Sequence, residues 1–144
     1  MVNNRNKKLT CEMADCIKLT THTSSSGNLT LYDDLLPGSI KRVFYIHGAG
    51  HEPRGGHRHH TAWHALICLV GHCRLTIDNG MQEQVIMLEY PDQCLVLEPR
   101  DWRVMDQFSP DAVLLVVSNT AYDPTDYIYE PYAARPAPVH LQLV

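Results

Sequence analysis

The segment Arg54–His60 reads RGGHRHH and places three histidines within four residues, directly behind two glycines. Side chains two residues apart on a β-strand point to the same face, so His57 and His59 are expected to project together. Imidazole is the commonest metal ligand and also the side chain that titrates nearest to neutral pH. The cluster therefore indicates either a metal site or a centre for proton transfer.

The elements that must position this cluster are short runs of β-branched and aromatic residues separated by turn residues. These runs lie at 40–46, 63–70, 73–77, 82–88, 95–97, 103–108 and 112–118. Gly71 and His72 predict one turn, and the pair Asn79-Gly80 predicts a hairpin of type I′. No segment longer than about ten residues has a convincing helical period. Strands spaced roughly 8–12 residues apart predict an all-β sandwich or barrel.

Length and charge limit the function classes. The 144 residues, 44% of them hydrophobic, suit a single domain spanning 1–144, with a core at about 24–130 and an extended tail at 131–144. The net charge of −4 disfavours a nucleic-acid partner. The polar, basic start has no apolar run behind it, so we expect neither a signal peptide nor a membrane span.

The cysteines indicate a reducing compartment. Their number is odd and their spacing fits no zinc knuckle; the five are Cys11, Cys16, Cys68, Cys73 and Cys94. Cys68 and Cys94 lie inside apolar runs and are expected to be small buried side chains. We therefore expect a cytoplasmic protein.

The spacing around the histidines resembles the first motif of the cupin barrels. Four residues separate His59 from His64, and six separate His64 from Gly71. The resemblance implies a small all-β cupin, an RmlC-like jelly-roll barrel. Metal-binding cupins usually carry Glu where His64 stands, and the later stretch 99–103 offers no His, Asp or Glu at the expected ligand position. A metal-binding cupin that uses His57, His59 and His64, as a dioxygenase, lyase or sensor, remains an alternative.

A narrower resemblance rests on four segments, IKRVFYI, EPRGGHRHH, CLVGHCRL and DWRVMDQFSPDAVLLVVSNTAYDPTDYI. Together they are similar to the sugar-nucleotide 3,4-ketoisomerases, which are metal-free cupins, and the similarity runs from about 24 to 127. Its signatures are R-G-x-H-x-H and the run YDPTDYI at 122–128. The resemblance implies a cofactor-independent isomerase for deoxyamino-sugar biosynthesis. It would move the keto group of a dTDP-4-keto-6-deoxyhexose between C4 and C3 through an enediol. The family also implies a homodimer that exchanges N-terminal strands.

The resemblance assigns the chemistry to the histidine pair. Moving the carbonyl requires a group that titrates near neutrality on one face of the sugar, and imidazole, with a pKa of about 6.5, suits that task. His57 is then the acid/base at carbon, and His59 orients it or carries the oxygen protons.

The same resemblance gives expectations for substrate binding. Arg42 and Arg54 are candidates for the diphosphate, because a guanidinium binds phosphate oxygens bidentately. Tyr45 and Trp102 are candidates for contacts with the substrate. Arg103 stays charged, so it would position the sugar rather than donate a proton, which favours a gluco-configured 3-keto product.

Some residues depart from the family pattern. Phe44 stands where the family usually has a tyrosine, and Ser26 and Tyr129 also differ from it. A non-catalytic binder of nucleotide sugars is therefore a second alternative. A 3,5-epimerase of the same barrel type would need an aspartate partner for a histidine, and the sequence alone does not reveal one.

Overall fold

The computed structural model describes residues 14–135, and nearly all of its regular structure is β-strand. Cys11, together with 136–144 of the predicted tail, lies outside the described residues. One short 3-10 helix, Pro124–Asp126, is the single helical element in the described part of the chain. No helix between residues 14 and 135 is long and apolar enough to cross a membrane.

Two five-stranded antiparallel sheets form the body of the fold. The first contains, in spatial order, β1 (Asp15–Lys18), β9 (Gln93–Leu97), β6 (His64–Val70), β11 (Val113–Ser118) and β4 (Arg42–His47). The second contains β12 (Tyr127–Ile128), β5 (Arg54–His59), β10 (Trp102–Asp106), β7 (Cys73–Asp78) and β8 (Glu83–Leu88). A separate hairpin joins β2 (Thr20–Ser24) to β3 (Gly27–Leu31). From β4 to β12 the chain alternates between the two sheets, except at the hairpin of β7 and β8, so the predicted all-β jelly-roll arrangement is confirmed.

The core lies between the two sheets. Along β7 the side chains of Cys73, Leu75 and Ile77 are buried while the residues between them are less so, which is the alternation of a strand with one covered face. These side chains pack against Leu66 of β6 and Leu114 of β11 on the opposite sheet. The apolar run of β6 is also buried on its second face, where Ala65 and Ile67 belong to another cluster.

The connection between β7 and β8 corrects one prediction. A type I′ turn requires positive φ at both central residues, but only Gly80 of the pair has it, at +91°. The strands are joined by four residues instead, and the Asn79 side chain accepts hydrogen bonds from the backbone N–H groups of Met81 and Gln82. Asparagine side chains capture nearby backbone donors in this way, and here the capture produces a longer loop.

Gly71, between β6 and β7, is required by the turn predicted there. Its φ is +70°, and a Cβ at this position would clash with the Ser109 hydroxyl and lie 2.6 Å from Oδ1 of Asp111. Positive φ and lack of space act together, so only glycine fits without strain.

We expect Gly71→Ala to lower the free energy of unfolding by more than about 1 kcal/mol, because both the backbone conformation and the space are unsuitable. Denaturant unfolding measures this directly. Gly50→Ala is the matched control, since Gly50 lacks a positive φ and a Cβ there meets nothing within 4 Å. Equal unfolding midpoints for the two variants would contradict the assignment.

Candidate active site

The local sequence of β5 sets the position of the histidine pair. Gly55 has a φ of +89°, and a Cβ there would lie 2.8 Å from the backbone oxygen of Arg103. The missing side chain therefore permits a close approach of β5 to β10, where the register shifts next to Arg103. This arrangement places His57 directly opposite Arg103 in the ladder.

His57 faces a cavity of about 140 Å³ between the two sheets, which we call the central cavity. Its lining includes side chains from β4, β6 and β11 on one side and from β5 and β10 on the other. The polar members of the lining are Arg42, Arg54, His57, His64, Arg103 and Tyr127. No Asp or Glu belongs to the part of this lining that the structure describes, so the cavity is cationic.

His59 is buried and is held by Asp126, which ends the 3-10 helix. Nδ1 of His59 lies 3.0 Å from Oδ2 of Asp126. The same carboxylate accepts hydrogen bonds from the backbone and hydroxyl of Thr61 and from the backbone of Ala62. Because an ionised carboxylate only accepts, the proton must sit on Nδ1 and the lone pair on Nε2. That Nε2 is buried and has no hydrogen-bond partner among residues 14–135.

Burial alone would raise the pKa of Asp126, but hydrogen bonds from Thr61, Ala62 and His59 outweigh it and lower that pKa. The carboxylate is therefore ionised at neutral pH and fixes the orientation of the His59 ring. The rings of His57 and His59 meet edge to face, with their centroids 5.0 Å apart.

Arg103 and His64 form a second fixed pair. The buried Arg103 guanidinium donates to Nδ1 of His64 at 2.9 Å and to the backbone oxygen of Asp101 at 3.0 Å. Burial lowers the pKa of Arg103 to about 10, which leaves it charged at neutral pH. Burial, with the charge of Arg103, lowers the pKa of His64 to about 2.

This pairing bears on the metal-binding interpretation. Arg103 already occupies the Nδ1 lone pair of His64, and its charge opposes a dication beside that ring. Among the described residues, no group of three His, Cys, Asp or Glu side chains is arranged to hold a metal ion. The geometry therefore does not favour a metal site built from His57, His59 and His64.

The two histidines of β5 are neutral at pH 7. Burial, followed by the charge of Arg103, lowers the pKa of His57 to about 4. The same two causes, in the same order, lower the pKa of His59 to about 4. Each ring is therefore available to accept a proton across the physiological range, and the unpaired cationic charge around them favours an anionic ligand.

Of the seven predicted site residues, four line the central cavity, one lies behind it and two lie elsewhere. His57, Arg42, Arg54 and Arg103 line the cavity, and His59 lies directly behind it. Tyr45 does not line the cavity. The inward positions of β4 belong to Arg42, Phe44 and Ile46, and the Tyr45 side chain projects outward, where it is 62% exposed.

Trp102 is also outside the cavity, since Arg103 and Met105 are the inward residues of β10. Trp102 lines a groove on the outer face of the second sheet, beside Tyr132 and Arg135. Neither Tyr45 nor Trp102, the two candidates for contacts with the substrate, therefore lines the central cavity.

Sequence reasoning missed two residues of the site, Asp126 and Tyr127. The run at 122–128 stood out as a motif, but its members had no assigned role. Asp126 is the aspartate partner of a histidine that the sequence did not reveal, because 67 positions separate it from His59. Tyr127 pairs with His59 between β12 and β5, and its hydroxyl accepts a hydrogen bond from Arg42 at 3.2 Å.

The chain matches the family model described as FdtA, WxcM-like, C-terminal, over residues 12–134. It is 41% identical over 123 residues to TDP-4-oxo-6-deoxy-alpha-D-glucose-3,4-oxoisomerase of Aneurinibacillus thermoaerophilus, covering 82% of this chain and 88% of that protein. Solved structures also resemble it. WlaRA, the TDP-fucose-3,4-ketoisomerase of Campylobacter jejuni, superposes with a TM-score of 0.76 at 33% identity, covering 81% of this chain and 89% of the other.

A second solved neighbour carries a bound sugar nucleotide. It is a variant of the 3,4-ketoisomerase QdtA from Thermoanaerobacterium thermosaccharolyticum, in complex with TDP-4-keto-6-deoxyglucose. The TM-score is 0.77 at 33% identity, with 81% of this chain and 87% of that chain covered.

The fold and site define a small cupin in which a pair of neutral imidazoles adjoins a cavity lined by arginines. The matches to known proteins narrow the class from small cupins in general to one family. The chain belongs to the FdtA, WxcM-like family, in agreement with the resemblance found in its sequence.

Proposed function

We propose that this chain is a TDP-sugar 3,4-ketoisomerase that interconverts 4-keto and 3-keto forms of a 6-deoxyhexose. The observation that carries the proposal is a neutral imidazole, His57, facing a cavity whose charged walls are guanidinium groups. The relatives whose names specify 3,4-oxoisomerase or 3,4-ketoisomerase activity support it. Later conversion of the product to an amino sugar is implied by the resemblance of the sequence to the ketoisomerase family.

His57 is the acid/base at carbon. It removes the proton from C3, and the electrons of the C–H bond form the C3–C4 double bond of an enediol. It then returns the proton to C4 as the carbonyl forms at C3. The pKa of His57, about 4, lies below the near-neutral value expected from the sequence, because burial and the charge of Arg103 disfavour the imidazolium. His57 is therefore unprotonated at neutral pH and able to act as the base.

The charges around the cavity stabilise the intermediate. Negative charge develops on the sugar oxygens when C3 loses its proton, and Arg103 is held by His64 and Asp101 before the substrate arrives. A fixed cation stabilises a developing oxyanion without reorganising during the reaction. Arg103 also positions the sugar, and through that position it favours the gluco-configured 3-keto product.

His59 orients His57. Asp126 fixes the tautomer of His59, and the edge of one ring meets the face of the other. His57 and His59 therefore keep one geometry, as imidazoles do in other acid/base sites where a carboxylate accepts their N–H.

Arg42 and Arg54 are the candidates for binding the diphosphate of the substrate. Both line the central cavity, and Arg54, at the start of β5, is exposed to solvent there. Complexes of QdtA with TDP, and with TDP-4-keto-6-deoxyglucose, support a TDP-linked substrate for this chain. No cofactor enters the proposed reaction, since the proton transfers need no electron acceptor.

The chain also carries a surface suited to a second copy of itself. All ten strand residues of the β2–β3 hairpin are exposed, and Leu29 and Leu31 are exposed by 56% and 45%. β4 is the edge strand of its sheet, and Val43 and Tyr45 on its outer face are exposed by 57% and 62%. Exposed edges with apolar side chains need covering. We infer a homodimer in which N-terminal strands cross to the partner.

The remaining expectations on organisation and location are proposals of the same kind. A single domain covering 1–144 agrees with the two-sheet body of the described residues. The thiols of Cys16, Cys68, Cys73 and Cys94 are free, which suits a reducing cytoplasm.

The purified protein, mixed with TDP-4-keto-6-deoxyglucose in D2O, is expected to form a 3-keto product and to bring solvent deuterium into the sugar ring. His57→Asn removes the carbon acid/base, so product and deuterium uptake should both fall at least about 100-fold while TDP still binds. Mass spectrometry and NMR of the sugar measure both quantities.

His51→Asn is the matched control, because His51 is exposed in the loop before β5, and it should retain full activity. Full-rate turnover by His57→Asn would contradict the role of His57. Loss of turnover in His59→Asn alone would move that role to His59.

Sedimentation should give a mass about twice the 16.3 kDa of one chain. Tyr45→Lys places a charge on the apolar outer face of β4 and should shift the protein toward monomer. Val85→Lys is its control, since Val85 is exposed to a similar degree, 58%, but lies on β8, the edge strand of the second sheet. A monomeric wild-type protein would overturn the inferred dimer.

A further inference from the structure

The central cavity contains one hydroxyl. Of the twelve described residues that line it, Tyr127 alone carries an O–H group. The isomerisation moves two protons, one between carbons and one from O3 to O4. The oxygen proton needs a group that gives and receives with the same atom, and a guanidinium cannot do this because it only donates.

Tyr127 is held firmly in place. It opens β12 and pairs with His59, and its ring centroid lies 4.8 Å from that of His57 and 4.6 Å from that of His59. The preceding residue, Asp126, is anchored by Thr61 and Ala62. The phenol therefore lies beside the carbon acid/base in a position set by backbone contacts on both sides.

The hydroxyl of Tyr127 is set up to donate. Nη1 of Arg42 donates to its oxygen at 3.2 Å, and within residues 14–135 this is its one hydrogen-bond partner. The phenolic proton is therefore left for a ligand. The guanidinium beside it stabilises the phenolate that remains after the proton leaves. Phe44, the neighbouring aromatic in the lining, has no hydroxyl to offer.

His59 is poorly placed for this task. Its Nδ1 proton is committed to Asp126, its Nε2 carries no proton, and its ring is absent from the lining of the central cavity. It therefore has no proton to give to O4.

We propose that Tyr127 is the oxygen acid/base of the reaction and passes the hydroxyl proton from O3 to O4. The proposal rests on the proposed ketoisomerase function. As His57 takes the C3 proton, the carbonyl electrons at C4 take the Tyr127 proton and form O4–H. The phenolate then takes the proton of O3–H while the C3 carbonyl forms and C4 regains a proton from His57. Both side chains return to their starting states, and no oxidant or reductant is needed.

The test compares two rates in Tyr127→Phe, which keeps the ring and removes the hydroxyl. TDP-4-keto-6-deoxyglucose is incubated in D2O, and deuterium at C3 of recovered substrate is measured beside formation of the 3-keto product. His57 still removes the C3 proton, because the charge of Arg103 stabilises the enediolate, but the proton of O3 has no carrier to O4. The ratio of C3 exchange to product formation should therefore rise at least about 100-fold over the wild type.

An unchanged ratio in a Tyr127→Phe variant that still binds TDP would overturn the proposal, because a merely structural role slows both rates together. Tyr90→Phe, an exposed tyrosine between β8 and β9, is the control and should match the wild type. Wild-type protein that shows neither exchange nor product would instead refute the ketoisomerase function itself.

Discussion

The carboxylate of Asp126 is the interaction on which the rest of the site depends. It binds the ring of His59 and two residues of the connection between β5 and β6, Thr61 and Ala62. These hydrogen bonds connect the strand that carries the histidine pair to a segment far along the chain. They set the tautomer of His59 and the position of Tyr127, which follows Asp126 in the sequence. A polar network of this kind, partly buried around His59, specifies one geometry when its members are satisfied.

The electrostatics of the cavity depend on where the Asp126 carboxylate and the arginines lie. Asp126 lies behind the imidazoles, and the described lining of the cavity carries three arginines and no carboxylate. The charge of Arg103 therefore adds to burial in keeping His57 and His59 unprotonated. The same excess of positive charge suits a diphosphate and a developing enediolate. One arrangement thus provides a free base, a binding site for an anion and a stabilised intermediate.

The sequence predicted the features that depend on local pattern. The β-branched runs indicated the strands, and the spacing of His57 and His59 indicated a shared face. Two classes of feature could not be read in this way. The pairing of Asp126 with His59 depends on how distant strands meet, which no local period encodes. The faces of Tyr45 and Trp102 depend on register, where a difference of one residue reverses inside and outside. At Asn79, a side chain captured backbone donors and outcompeted the expected tight turn.

The proposed chemistry depends on His57 and His59 being neutral at physiological pH and on Asp126 holding the proton of His59 on Nδ1. Nitrogen NMR of labelled protein reports the tautomer and protonation state of each ring, with His57→Asn and His59→Asn used to assign the signals. We predict two neutral imidazoles at pH 6, with His59 protonated on Nδ1, and titration near pH 4 for both. Imidazolium signals from either ring at pH 6, or a proton on Nε2 of His59, would contradict the account.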